Sequence, residues 1–340
     1  MPSSVDVAVV GATGLVGEAL IDILEERSFP VGRLFALASE RSIGRSVRFR
    51  GNSVAVKRLD EFDFEQVQIA LFSAGGSISA EFVPRAAAAG AVVIDNTSEF
   101  RYDDEIPLVV PEVNAARIAD YANKGIIANP NCSTIQLVVA LKPLHDAFGI
   151  ERINVATYQA ISGAGRKALD RLTEDTRQVL AGLEPVVQGP EKWVAFNVVP
   201  HIDQFLDNGY TKEEMKIVWE TRKILEDPNI MVNPTAARVP VYFGHSEAVH
   251  IETRTKVTVP AAQKLLNSTP GVIVMDGREL GTYPTAATDA VNRDAVFVGR
   301  IREDLSHPRG LDLWVVSDNL RKGAALNSIQ IAEILVNDFM

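Results

Sequence analysis

The chain has 340 residues, 46% of them hydrophobic, and a formal charge of −10 from 34 basic and 44 acidic side chains. That length can bury a large core and predicts two domains, while the acidic balance, without a basic block, argues against a nucleic-acid backbone as partner. A single cysteine excludes an intramolecular disulfide framework and a cysteine-based metal cluster, and fits a reducing compartment.

The opening MPSSVDVAVVGATG runs straight into a strand pattern, with neither a basic leader nor the apolar core of a signal peptide. No run approaches the ~18 apolar residues needed to span a bilayer. The expectation is a cytoplasmic protein without a membrane partner.

Residues 5–10 (VDVAVV) form a nearly continuous apolar run, the pattern of a strand buried on both faces. Gly11 to Gly17 (GATGLVG) follow, and a helical pattern covers 18–26. Strands are predicted at 34–38, 69–73 and 92–95, with an alanine-rich helix at 80–89 closed by Gly90. Such alternation implies a Rossmann-like, doubly wound parallel sheet in an α/β fold.

Past Leu144 the character changes. Strand patterns at 153–161, 239–243, 248–258, 296–301 and 311–316, interrupted by helices at 166–180 and 211–225, predict a second, α+β domain with a mixed sheet. The C-terminal stripe Ala325, Ile329, Ala332, Val336, Phe339 has helical spacing. Packing it back on the first domain is the economical way to bury it. The predicted division is therefore residues 1–131 completed by 320–340, and residues 132–319.

GATGLVG sits where a dinucleotide fold needs it, after a strand and opening a helix. There Gly11, Thr13, Gly14, Leu15 and Val16 would bring backbone and a helix N-terminus to a pyrophosphate. Its spacing is GxxGxxG rather than GxGxxG, so a plain strand-to-helix turn is the competing reading. At the next strand end, Ser39, Arg41 and Ser42 favour the 2′-phosphate of NADP, while Glu40 leaves NAD open.

The lone thiol lies in NPNCST (129–134). Cysteine is commonly buried as a small gap-filler. Here, however, Asn129-Pro130-Asn131 breaks a strand and Ser133-Thr134-Ile135 begins a helix, so Cys132 stands at a helix N-terminus that would promote the thiolate. On the residues alone both readings stand.

Together with GATGLVG, Phe100-Arg101, VVPEVN (109–114), TYQAISGAGRKA (157–168), EEMK (213–216), RVPVYFGHSEAV (238–249) and SDNLRKGAA (317–325), NPNCST resembles the aspartate-β-semialdehyde dehydrogenase family, in order and over nearly the whole chain. The resemblance implies NADPH-dependent reduction of L-aspartyl 4-phosphate to the semialdehyde through a Cys132 thioester, in the biosynthesis of lysine, threonine, methionine and isoleucine. It makes the second domain catalytic and dimerising, and the protein a homodimer acting on a small molecule, with no metal.

It also implies roles. His245 is the general acid/base, and Gln159 orients the acyl group. Glu213 receives the substrate ammonium and Arg238 its carboxylate. Arg101 and Lys216 hold phosphate, with Asn131 contributing to the anion site. Ser162, Gly163 and Asn319 face the nicotinamide. Without the resemblance Glu213 and Lys216 would read as a solvated i,i+3 ion pair, Arg238 as a surface arginine that starts the strand leading to His245, Arg101 as a surface charge, and Asn319 as a helix cap. SGAGRK lacks the GxxxxGK[ST] spacing of a phosphate loop. Three rivals remain: an N-acetyl-glutamyl-phosphate type reductase, a CoA-thioester reductase, and an inactive NADP-binding paralogue.

Overall fold

A computed structural model describes residues 4–186 and 192–340. The first three residues of the N-terminal reading, and residues 187–191 of the second predicted domain, lie outside it. The chain divides into two compact units, Met1–Asn131 with Ala324–Met340, and Cys132–Gly323.

The first unit is built on a seven-stranded sheet. Its strands are β1 (Val5–Val10), β2 (Val31–Ala38), β3 (Ser46–Phe49), β4 (Asn52–Arg58), β5 (Ile69–Phe72), β6 (Val92–Asp95) and β7 (Ile126–Ala128), in the spatial order β3-β4-β2-β1-β5-β6-β7. All pairings are parallel except the β3–β4 hairpin. That hairpin turns through Arg50 and Gly51, both at positive φ, as a two-residue primed turn requires. Arg50 is held there by Glu25 on its backbone N–H and by the Phe29 and Val31 carbonyls on its guanidinium.

Helices α1 (Leu15–Glu26), α2 (Gly76–Ala88) and a single turn α3 (Pro111–Asn114) connect the strands. Gly17 is dictated by packing, because a Cβ there would lie 2.1 Å from the Gly11 carbonyl oxygen. The C-terminal helix (Leu326–Asp338) also belongs to this unit. Its Leu326, Ile329, Ala332, Leu335 and Val336 share one core with Leu20 and Leu24 of α1, and Glu333 forms a two-pronged ion pair with Arg27. Of the predicted stripe only Phe339 stays substantially exposed, its ring edge-on to Tyr121.

The second unit carries a six-stranded mixed sheet: β8 (Ile150–Gln159), β9 (Met231–Arg238), β10 (His245–Thr253), β11 (Val272–Val274), β12 (Val296–Glu303) and β13 (Gly310–Ser317), ordered β11-β12-β13-β10-β8-β9. Along it lies α4 (Cys132–Phe148), buried at every residue from 133 to 141. Apart from Gln136 the stretch Ile135 to Leu141 is apolar all round, as in a helix enclosed on every side. Helices α5 (Arg166–Leu180), α6 (Lys212–Ile224) and α7 (Val259–Asn267) complete the unit, and the C-terminal helix becomes α8. Thr211 caps α6 in a full capping box with Glu214.

Three expectations are corrected. The apolar run 239–243 is not a strand: Pro240 lacks a donor N–H, and β9 ends before it at Arg238. Arg238 therefore closes a strand rather than opening one. Strand β10 stops at Thr253, because Thr258 accepts from the Ala261 N–H to cap an unforeseen helix, α7.

Candidate active site

In the second unit Cys132 is the first residue of α4 and is partly buried. Its Sγ lies 3.2 Å from His245 Nε2. His245 opens β10 and is fully buried. Gly244 makes this possible: it sits at φ +85, and a Cβ there would be 2.9 Å from that of Ala286, so only glycine turns the chain into β10 at this point.

The backbone of Ala160, which residue types alone do not flag, joins the other groups. Its N–H donates to His245 Nδ1 at 3.0 Å, and its carbonyl accepts from Arg238 Nη1 at 2.7 Å. Arg238 and His245 thus meet through one residue just past the end of β8, not along one strand. No side-chain signal reveals this, since Ala160 contributes only main-chain atoms. Burial and the Arg238 charge push the His245 pKa down to about 3, against opposing pulls from Glu213 and the Gly244 carbonyl. Burial also lowers the pKa of Arg238, while negative charge at Glu213 and Cys132 favours its cation.

Glu213 and Lys216 are not a solvated pair. Both are largely buried, with Lys216 Nζ 2.9 Å from Glu213 Oε2 and 2.9 Å from Asp203 Oδ2. The other Glu213 oxygen accepts from Gln159 Nε2 at 3.1 Å, and Gln159 Oε1 accepts from Thr157 Oγ1. Burial opposes the Lys216 charge, but the two carboxylates outweigh it and raise its pKa. Asp203, also missed, supplies one of them.

Asn319 does not cap a helix. The cap of the following turn is Asp318, whose Oδ1 accepts from the Leu320 and Arg321 N–H groups. Asn319 Oδ1 instead accepts the Gly244 N–H at 2.8 Å, and its side chain bonds Ser162 Oγ. Ser162 and the adjacent Gly163 are thereby fixed beside the Gly244 turn. A Cβ on Gly163 would stand 3.2 Å from Arg238 Nη1 and 3.6 Å from His245 Cε1, so glycine keeps this side of the imidazole open.

Beneath Cys132, one helical turn on, Gln136 accepts from Ser317 Oγ at 2.6 Å. It faces Glu247, two residues after His245 on β10 and fully buried. Burial raises the Glu247 pKa well above the carboxylate range, opposed by the Gln136 amide, although neither carboxyl oxygen reaches a partner at normal hydrogen-bonding geometry.

In the first unit Arg101 is not a surface charge but buried, donating from Nε to the Asn129 carbonyl at 2.9 Å and from Nη2 to that of Asn96 at 2.8 Å. Asn129 in turn bonds Asn96 and accepts from Asn327 of α8. This asparagine network, unread in the sequence, ties down the strand exit that leads to the buried Asn131.

A cleft of about 420 Å³ in the same unit is lined by Gly11, Thr13, Gly14, Ser39, Ser42 and Ser73 among others. Leu15 and Val16 form the first turn of α1, whose N-cap Gly14 offers no side-chain cap, leaving backbone N–H groups for an anion. Gly11 needs its glycine, at φ +85 with a would-be Cβ 3.0 Å from Ser73. These features fit the phosphate and ribose of a dinucleotide. Arg41, at the centre of a 3-10 turn, is exposed and is not among the residues lining the cleft. The cation that lines it is Arg58, overlooked at the end of β4, and Asp60, Glu61 and Glu40 already offset its charge. Among the described residues, no group of three or more His, Cys, Asp or Glu could hold a metal, and no helix is long and apolar enough to cross a membrane.

Two family models match the chain: semialdehyde dehydrogenase, NAD binding domain, over residues 6–121, and semialdehyde dehydrogenase, dimerisation domain, over residues 141–322. The chain is 58% identical over 340 residues to an aspartate-semialdehyde dehydrogenase of Legionella pneumophila, covering 100% of this chain and 98% of the relative. It is similar to the crystal structure of aspartate semialdehyde dehydrogenase II from Vibrio cholerae complexed with ASA, with TM-score 0.97, 56% identity, and coverage of 99% of this chain and 100% of that one. It is also similar to the Candida albicans aspartate semialdehyde dehydrogenase with NADP, at TM-score 0.73 and 26% identity over 98% of each chain.

Proposed function

The chain belongs to the aspartate-semialdehyde dehydrogenase family and is an oxidoreductase acting on an aldehyde or acyl phosphate with a nicotinamide cofactor; from that premise we propose that it reduces L-aspartyl 4-phosphate to L-aspartate 4-semialdehyde with NADPH, through a thioester on Cys132. The observation that carries the proposal is the Cys132–His245 contact at the N-terminus of α4. A helix N-terminus lowers the energy of a thiolate, and a gap-filling cysteine needs no imidazole against its sulfur.

The thiolate attacks the acyl carbon, and the C–O bond to phosphate breaks as the C–S bond forms, dividing one difficult displacement into two easier steps. NADPH, when bound, supplies the hydride. Gln159 orients the acyl group, Glu213 takes the ammonium and Arg238 the carboxylate. Lys216 and Arg101 bind phosphate as charge-assisted donors, with Asn131 contributing. Gly11, Thr13, Gly14, Leu15, Val16, Ser39, Arg41 and Ser42 hold the adenosine and pyrophosphate, and Ser162, Gly163 and Asn319 the nicotinamide. The NADP in the Candida structure supports that choice, as the ASA in the Vibrio structure supports the substrate.

On this reading residues 1–131 with 320–340 form the dinucleotide-binding domain, and 132–319 the catalytic and dimerisation domain of a cytoplasmic homodimer. The enzyme feeds lysine, threonine, methionine and isoleucine synthesis. A free ammonium partner at Glu213 separates it from reductases of N-acetylated substrates. The test is phosphate-dependent reduction of NADP by aspartate semialdehyde, on the native protein and on Cys132→Ser. Activity that needs neither phosphate nor the thiol sinks the proposal.

A further inference from the structure

Glu213 is a carboxylate, paired through Oε2 with Lys216 Nζ at 2.9 Å, and its other oxygen can only accept. Gln159 must therefore turn its amide nitrogen toward Glu213 Oε1, 3.1 Å away. That leaves the Gln159 carbonyl oxygen facing the Thr157 hydroxyl at 3.1 Å. Two oxygens meet there and only the hydroxyl carries a hydrogen, so Thr157 donates. What remains on Thr157 Oγ1 is a lone pair, which only a donor can satisfy.

The residue directly across the sheet from Thr157 is Glu247. Residues so paired share a face, with Cβ atoms about 4.5–5.5 Å apart. On its other flank Glu247 lies opposite Val315, which has no polar side-chain atom. From α4, Gln136 faces it, with its carbonyl oxygen taken by Ser317 Oγ at 2.6 Å and its amide nitrogen unpaired. Glu247 is fully buried, and neither of its oxygens has a partner in the static structure. Buried polar groups are ordinarily paired. A carboxylic acid carries an acceptor oxygen and an O–H, which complements an amide N–H on one side and a hydroxyl lone pair on the other.

We propose that Glu247 is a positioning residue of the active site: as an uncharged carboxylic acid it accepts from Gln136 and donates to Thr157, closing a one-way chain of hydrogen bonds that fixes the Gln159 amide. The proposal rests on the reading of Gln159 as the group that orients the acyl substrate.

The chain runs from Ser317 through Gln136, Glu247, Thr157 and Gln159 to Glu213, each residue donating to the next. It starts beside His245, the cross-strand neighbour of Ser317, and ends on the carboxylate assigned to the substrate ammonium. Rotation of the Glu247 carboxyl about its own side-chain bonds closes the two links that stand open. An ionised Glu247 would have only lone pairs to offer. Thr157 would then turn its hydrogen toward the charge, and the Gln159 carbonyl oxygen would lose its donor. The amide could flip, presenting an oxygen in place of the N–H that orients the acyl group. Burial favours the uncharged acid, and the opposing influence on it is the Gln136 amide, not a cation.

Infrared difference spectra of native protein against Glu247→Gln, at neutral pH, read the protonation state directly. The expected difference band is the carbonyl stretch of a carboxylic acid; a carboxylate band in its place overturns the proposal. Kinetics test the chain. Glutamine keeps one acceptor and one donor, so Glu247→Gln should hold kcat within about twofold of native. Glu247→Leu and Thr157→Val break the chain. Each should lower kcat about tenfold, the usual size of a buried hydrogen-bonding group left unpaired, with the NADP and phosphate KM values and the alkylation rate of Cys132 unchanged. Thr157→Ser keeps the hydroxyl and should keep kcat. The double variant should lose no more than either single one, because both act through Gln159. Should the leucine variant fail to fold, the two threonine variants and the infrared band decide. Equal loss in Glu247→Gln and Glu247→Leu, or native kcat in Thr157→Val, overturns the proposal. Native kcat in Gln159→Ala would instead sink the acyl-orienting role of Gln159, while the infrared band still assigns the proton on Glu247.

Discussion

The thiol centre of the 132–323 unit and the dinucleotide cleft of the first unit carry their polar groups in opposite ways. Around Cys132 each of His245, Gln159, Glu213, Lys216 and Arg238 is buried or nearly so and committed to a neighbour in the ligand-free protein. Around the cleft, Ser39, Glu40 and Arg41 face solvent, and what is fixed is backbone: the Gly11 turn and the start of α1. Groups that must meet a developing charge gain by being oriented beforehand, whereas an adenosine end contributes uniform binding and tolerates adjustment.

The largest effect that sharpens this contrast is Cys132→Ala. Turnover should fall to background, a loss of about a thousandfold or more, while NADP binding, followed by fluorescence titration, stays within about twofold. Binding lost together with activity would mean that the two regions are not separable. Next come the substrate-gripping charges. Glu213→Gln and Arg238→Ala should raise the semialdehyde KM roughly tenfold to a hundredfold, while Arg101→Ala and Lys216→Ala raise the phosphate KM by a similar factor. Arg238→Ala should also lower kcat, because it frees the Ala160 carbonyl; Glu213→Gln leaves that carbonyl in place. An N-acetylated substrate turned over as well as the free amine breaks the aspartyl assignment.

Smaller is the cost of preorganisation at Glu247. Its folded pKa is raised by burial, so the folded state binds the proton more tightly than the unfolded chain does. Its stability contribution is fullest below the unfolded value of 4.5 and is lost as pH rises toward the folded value. Glu247→Gln should therefore stabilise the protein at pH ~8, where the buried carboxylate would otherwise have to ionise, with no gain at pH ~4. Thermal melts at the two pH values decide it, and a gain independent of pH would refute the ionisation account. The smallest effect falls at the cleft. Arg41→Ala should weaken NADP by about tenfold or less, as suits an exposed cation, and leave NAD nearly untouched. Equal loss for both cofactors would move the phosphate contact elsewhere, with Arg58 the neighbouring cation.

Legibility in the sequence followed the same division. Elements with a strong period or a hard stop were readable: β1, α5 over residues 166–180, and α8 from its stripe. The run 239–243 misled because apolar content resembles a strand, whereas the missing donor of Pro240 and the turn at Gly244 govern the backbone. Helix α7 escaped notice although Thr258 and Pro260 mark its start. At the site, the nucleophile, the histidine and the charged residues were legible as residue types. What was not legible was the wiring: Ala160 acts through its main-chain atoms, and Asn129 and Asn327 meet across 198 positions. Neither leaves a local pattern to read.

The order of the chain has a consequence for the protein as it is made. Residues 132–323 are contiguous, so that whole unit is synthesised before α8 begins. The first unit was begun earlier, yet its core includes Leu326, Ile329, Ile331, Ala332, Leu335 and Val336. Domains fold as units during synthesis. The sheet of the first unit must therefore wait, with one flank of its apolar surface uncovered, until α8 emerges. The unit begun earlier is the one completed later.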